Sequence, residues 1–187
     1  MRRLGSLLLV VVLGGLAPAV AVSAAAAQSP DAGLARHATR ALSAEQIEDL
    51  QAGRGMGLAL PAELSGYPGP RHVLDLADEL DLDADQQRAA QALFDEMQAG
   101  AIPLGERIIE GEAALERSFA TGEATQADVH QAVLDLARLQ GELRAHHLRY
   151  HIVMRELLTP QQIASYQKLR GHTVGQGGHA GHHRGPS

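Results

Sequence analysis

Residues 129–157, VHQAVLDLARLQGELRAHHLRYHIVMREL, decide the fold. Val129, Ala132, Leu136, Leu139, Leu143, His146, Tyr150, Val153 and Leu157 follow one another at alternating three- and four-residue steps. Side chains spaced in that way share one face of an α-helix, so the stretch predicts a sustained apolar seam of the kind used in helical hairpins and coiled coils. Thr125 supplies the N-cap, and Asp128 lies where the helix dipole favours an acid.

A second long helix is predicted upstream. Asp83 caps it, with Gln86 at the third helical position, and it is expected to continue to about Phe119. Leu93, Met97, Leu104, Ile108, Leu115 and Phe119 form its core side. Pro103 lies inside and removes one backbone donor, so a kink is expected there. Only Ala120 to Ala124, with Gly122, separates the two helices, so they must fold back as an antiparallel pair. Their charges agree. Residues 84–119 carry seven acids and three Arg, whereas residues 129–158 carry three acids and four Arg.

Shorter helices complete the pattern. Ser43 and Gln46 form a capping box that opens a short helix ended by Gly53, Gly55 and Gly57. Residues 53–70 (GRGMGLALPAELSGYPGP) form a Gly/Pro-punctuated connection expected to wrap the helical body. A helix is expected from Pro70 to about Leu80, and another opens at Thr159, with Pro160 at its first position, and ends at Gly171. The fold class is therefore all-α, with four to five helices built on one long antiparallel hairpin. The helical domain is placed at residues 42–170.

The ends differ in composition from this body. Arg2 and Arg3 precede an apolar stretch from Leu4 to Leu16, and Ala25-Ala26-Ala27 precedes Gln28, the pattern of an export signal cleaved near Ala27. Retention of residues 1–27 as an anchor is the alternative, since the weakly apolar run continues to Ala27. Residues 28–41 read as a flexible leader. Residues 171–187 are Gly- and His-rich without an apolar face and read as a disordered tail.

Composition narrows the function classes. The chain has no Cys, which excludes disulfides, thiolate metal sites and a lipid-modified N-terminal cysteine. Trp is absent and aromatic residues are 3% of the chain, so Leu, Ile, Val and Ala must make the core. Loss of residues 1–27, which hold two Arg and no acid, takes the formal charge from −6 to −8. That balance argues against a nucleic-acid partner. Catalytic signatures are missing too: no Gly-x-Ser-x-Gly, no phosphate-cradling Gly loop and no Glu-x-x-His pair occurs. A binding protein, with no required cofactor, is the expectation.

Leu158-Thr159-Pro160-Gln161-Gln162 is similar to the LTxxQ motif of the Spy/CpxP family of periplasmic helical proteins. Leu82-Asp83-Ala84-Asp85-Gln86 stands where that family's first copy would lie, with Asp83 in place of Thr, and Leu42-Ser43-Ala44-Glu45-Gln46 is a third, looser copy. The resemblance covers roughly residues 42–169. It implies a bent helical cradle that dimerises through its long helices. It also implies one of three activities: ATP-independent capture of partly unfolded exported proteins, restraint of a membrane sensor kinase, or binding of zinc, nickel, cobalt or copper. Periplasmic capture of unfolded clients by a homodimer is the leading expectation. A metal-binding or metal-sensing protein is the alternative.

Candidate metal ligands can be named from spacing. His147 and His151 are four apart, so both imidazoles can point the same way. The run HLRYH has Leu148 where a zinc protease has its general-base Glu, which excludes that chemistry. With the hairpin turning near residue 123, Asp95 and Glu96 lie roughly opposite His151, where they could complete the coordination of zinc, nickel or copper. The alternative is a pair of His complementing the negative end of the helix. His146 falls on the seam and reads as a core or interface histidine. Met56, Met97 and Met154 read either as soft copper ligands or as gap-filling core. In the tail, His172, His179, His182 and His183 can chelate metal without any fold.

Overall fold

The computed structural model describes residues 39–171. The export signal, most of the leader and the His-rich tail lie outside them. Six helices follow in order: α1 (Ala44–Gln51), α2 (Leu60–Leu64), α3 (Pro70–Asp75), α4 (Ala84–Ala120), α5 (Gln126–Leu157) and α6 (Pro160–Leu169). Among the described residues there is no strand, and no helix is long and apolar enough to cross a membrane. The helix beyond the expected count is α2, a single turn within the Gly/Pro connection with Pro61 at its second position. The helix expected from Pro70 to Leu80 stops at Asp75 and gives way to turns. Asp81 there adopts φ +48 and the Leu82 N–H bonds to the Ala77 carbonyl, a left-handed chain reversal that Asp tolerates better than most residues.

The helix starts are capped as the residues dictate. Ser43, Asp83 and Thr159 each accept from the backbone N–H of Gln46, Gln86 and Gln162, and each Gln side chain accepts in return from the cap's own N–H. Two of these boxes are joined. Gln86 Nε2 donates to Gln162 Oε1 and Gln162 Nε2 donates to Gln86 Oε1, both at 2.9 Å. The second amide protons go to the carbonyls of Leu157 (3.1 Å) and Leu80 (3.2 Å). Both amides are thus fully used, and the N-termini of α4 and α6 are tied to each other and to the end of α5.

The hairpin α4–α5 carries two apolar cores. One, on the side of α1, gathers Ile47, Leu50, Ala101, Ile108, Ile109, Leu136, Leu139 and Leu143. The other, at the open end, gathers Val73, Leu80, Leu82, Ala90, Met154, Leu158 and Tyr166. Along α5 the gap from Leu143 to Met154 spans about 16 Å at 1.5 Å per residue, and the histidines fall within it. Helix α4 runs unbroken through Pro103, which lies on its exposed side together with Ala99, the residue whose carbonyl loses its partner.

Three glycines on α4 set how closely its neighbours approach. A Cβ on Gly105 would meet the Leu50 carbonyl oxygen at 2.3 Å, one on Gly100 the His146 ring at 2.3 Å, and one on Gly111 the Leu136 side chain at 2.8 Å. Gly141 on α5 is the opposite case, since an added Cβ there meets nothing.

Gly105→Ala is therefore expected to destabilise the fold by about 1–3 kcal/mol, as the C-terminal end of α1 is pushed off α4. Gly141→Ala is expected to stabilise it by roughly 0.5–1 kcal/mol. Urea denaturation of the two variants checks both signs. In a double-mutant cycle, Gln86→Ala and Gln162→Ala should couple by about 1–2 kcal/mol; additive losses would mean that the amide pair contributes nothing beyond its two separate caps.

Candidate functional site

The gap between the two cores is filled by polar side chains and covered by the Gly/Pro connection. On α5, His147 is 2% exposed and His151 6%, so both histidines point inward. The connection crosses this face through its backbone. His151 Nδ1–H donates to the Tyr67 carbonyl at 2.8 Å, and the Arg155 guanidinium donates to the Gly66 carbonyl while lying over the Tyr67 ring. From α4, Gln98 donates to the Ala52 carbonyl at 3.0 Å. These bonds fasten the segment at both ends and leave a cleft of about 730 Å³ between it and the hairpin. His147, His151, Glu63, His72, Arg170, Met56, Met97 and Phe94 are among the residues that line it.

The polar groups of the cleft divide into those with partners and one without. Because His151 donates from Nδ1, its neutral form presents Nε2 as an acceptor; that atom and Glu63 Oε1 both lie beside Gly69. Glu63 is itself 8% exposed, with His72 Nε2 at 3.3 Å and Arg170 at 3.6 Å. Burial holds the His72 pKa below the ordinary imidazole value despite the nearby carboxylate. His147 differs from all of these: its Nε2 is buried without a hydrogen-bond partner. Burial, with His146 and His151 adding to it, brings its pKa down to about 4. It is neutral at ordinary pH.

His146 is an interface histidine, half-buried against Gly100 of α4 and donating from Nε2 to the Met97 carbonyl at 2.8 Å, while its neighbour His147 takes the fully buried position. Asp95 and Glu96 stand at about the expected level of the hairpin, given that Gly100 faces His146 and Gly111 faces Leu136. Both acids are exposed, however, and Asp95 accepts from Gln91; neither lines the cleft. Among the described residues no group of three or more His, Asp or Glu is arranged to hold a metal. His172, His179, His182 and His183 lie outside the described residues. Glu63, His72 and Tyr67 were not anticipated; their only signal was the expectation that residues 53–70 wrap the body.

A second feature lies on the opposite face of α5. Leu134, Ala137, Gly141, Ala145, Leu148 and Ile152 recur at three- and four-residue steps, so they form one stripe. Leu134 is 52% exposed and Ile152 53%, with Val133 and Val153 exposed at the edges. Comparison with family models, with curated proteins and with solved structures gave no match, so both features are read from their own chemistry.

The pH dependence of folding follows from His147. The unfolded chain takes up this proton below about pH 6.5 and the folded chain only near pH 4, so acid favours the unfolded state between these values. From about pH 7 to about pH 5 the fold should lose roughly 2 kcal/mol on this account. Chemical denaturation of wild type and His147→Gln at the two pH values checks it, and the variant should lose correspondingly less.

Proposed function

We propose that this chain is a binding protein of the periplasm that captures apolar segments of partly unfolded exported proteins along the outer face of α5. The observation that carries this reading is the second apolar stripe of that helix. A helix packed on one side of a hairpin ordinarily turns a charged face to water. Here the outer face instead offers Leu134, Ala137, Gly141, Ala145, Leu148 and Ile152 in line, with Arg138, Arg144 and Arg149 exposed on the same helix. Small residues at the centre let an incoming chain lie close to the helix backbone. Arginine stems add contact area while their heads stay in water. A surface of this kind binds by area and shape and selects little among clients. It releases them without nucleotide as they bury their own apolar surface. The export pattern of residues 1–27 and the resemblance of Leu158–Gln162 and Leu82–Gln86 to the LTxxQ motif support the same reading.

The test is suppression of aggregation of an unrelated, chemically unfolded protein, without metal or nucleotide. Wild type should suppress it, and His147→Ala/His151→Ala should do so about as well. Leu134→Asp/Ile152→Asp should weaken capture at least about tenfold, since each lost apolar contact is worth about 1.5–3 kcal/mol at full burial. Circular dichroism of that variant should be unchanged, because both positions face solvent. Equal suppression by wild type and the Asp variant would sink the reading. Conversion of a wild-type dimer to a monomer by the same substitutions, without loss of suppression, would assign the stripe to a second copy of the chain.

A further inference from the structure

We infer that the cleft binds a cuprous ion, with the His147 imidazole and the thioethers of Met56 and Met97 as ligands. The inference does not rest on client capture, since the cleft and the outer stripe lie on opposite faces of α5. Three segments distant in sequence bring these side chains to one cleft: the connection carries Met56, α4 carries Met97 and α5 carries His147.

His147 is 2% exposed and its Nε2 has no hydrogen-bond partner. A buried nitrogen left in this way costs stability unless something else occupies its lone pair. Gly55, the residue before Met56, lies against the Nδ1 and Cε1 atoms of the ring, and a Cβ added to it would stand 3.8 Å from His147 Nδ1.

The methionines separate into two kinds. Met154 is 0% exposed inside the open-end core and fills space there. Met56 does not: it is 39% exposed, belongs to neither core, and is held at φ +44 between Gly55 and Gly57. A left-handed backbone is uncommon at any residue but Gly, Asn or Asp, and such conformations tend to collect at functional sites. Met97 is 7% exposed, outside both core clusters, and reaches the same cleft.

Ligand softness selects the ion. Thioether and imidazole donors favour Cu(I) over zinc or nickel, and the hard cations want carboxylates. The carboxylate of the cleft, Glu63, is already held between His72 and Arg170 and is not offered as a ligand.

The experiment uses the full chain with His172, His179, His182 and His183 all replaced by Ala, so that the tail cannot compete. It is titrated anaerobically with Cu(I) against a chromophoric cuprous chelator, and the copper X-ray absorption edge is recorded. One equivalent should be retained, with sulfur in the first coordination shell. Met56→Leu and Met97→Leu should each weaken binding by about tenfold or more, and His147→Gln likewise. Met56→Leu leaves both cores untouched, so its circular dichroism and thermal midpoint should match those of the parent. Loss of binding with the tail histidines, coordination by nitrogen and oxygen alone, or unchanged affinity in Met56→Leu would each overturn the assignment.

Discussion

The structure depends on two glutamines meeting. A helix N-terminus leaves N–H groups without partners, and a capping box normally satisfies them locally. In this chain the Gln of one box completes the other, so the start of α4 and the start of α6 become one hydrogen-bonded unit. The same amides hold the Leu157 and Leu80 carbonyls, one where α5 ends and one in the turn before α4. With that end closed, α6 is directed back over the hairpin, Tyr166 enters the open-end core at 0% exposure, and Arg170 is carried to Glu63. The motif that looks in sequence like two independent helix starts is therefore a clasp between them.

Above the clasp the helices must accommodate a stretch that is not apolar. His146, His147, Tyr150 and His151 occupy about one and a half turns of α5 between the two cores. Each polar atom that goes under cover needs a partner there. The Gly/Pro connection supplies one for His151 from its own backbone, and α4 supplies one for His146 through the Met97 carbonyl. His147 receives none, at a cost of about 1–3 kcal/mol for its buried nitrogen. The covering segment crosses the face instead of filling it, and the space it leaves is the cleft.

Much of this architecture was legible in the residues. Thr125, Asp83 and Thr159 marked three helix starts, the short run around Gly122 required the hairpin, and Leu136, Leu139 and Leu143 lie in the core as their spacing predicts. Beyond Leu143 the prediction drifts by one residue. Strict alternation of three- and four-residue steps has a period of 3.5, whereas a straight helix turns every 3.6 residues. The seam followed in sequence therefore slides around the helix: Tyr150 is buried as expected and Leu157 packs at the margin of the open-end core, but His146 and Val153 fall beside the buried His147 and Met154. Adjacent apolar pairs hide this drift, since Val153 and Leu157 lie on one course and Met154 and Leu158 on the other. The same one-residue ambiguity affects the metal reading. Turn position fixes the level at which Asp95 and Glu96 stand, but only the packed face of α4 decides that they point to water. Glu63 and His72 were out of reach for another reason: their place depends on how a turn-rich segment lies over α5, which it meets through bonds spanning 84 and 89 residues.

That last separation has a kinetic consequence. Tyr67 and His151 are 84 residues apart, as are the other bonds between connection and hairpin to within a few residues or a few tens. The α4–α5 pair, by contrast, closes through a turn of a few residues, and local contacts of that sort form early. During synthesis the connection emerges first but has nothing to dock on until α5 is complete. The cleft is accordingly the last part of the molecule to be assembled. By the same topology it is the first to be lost when the protein opens in part, with the hairpin persisting beneath it.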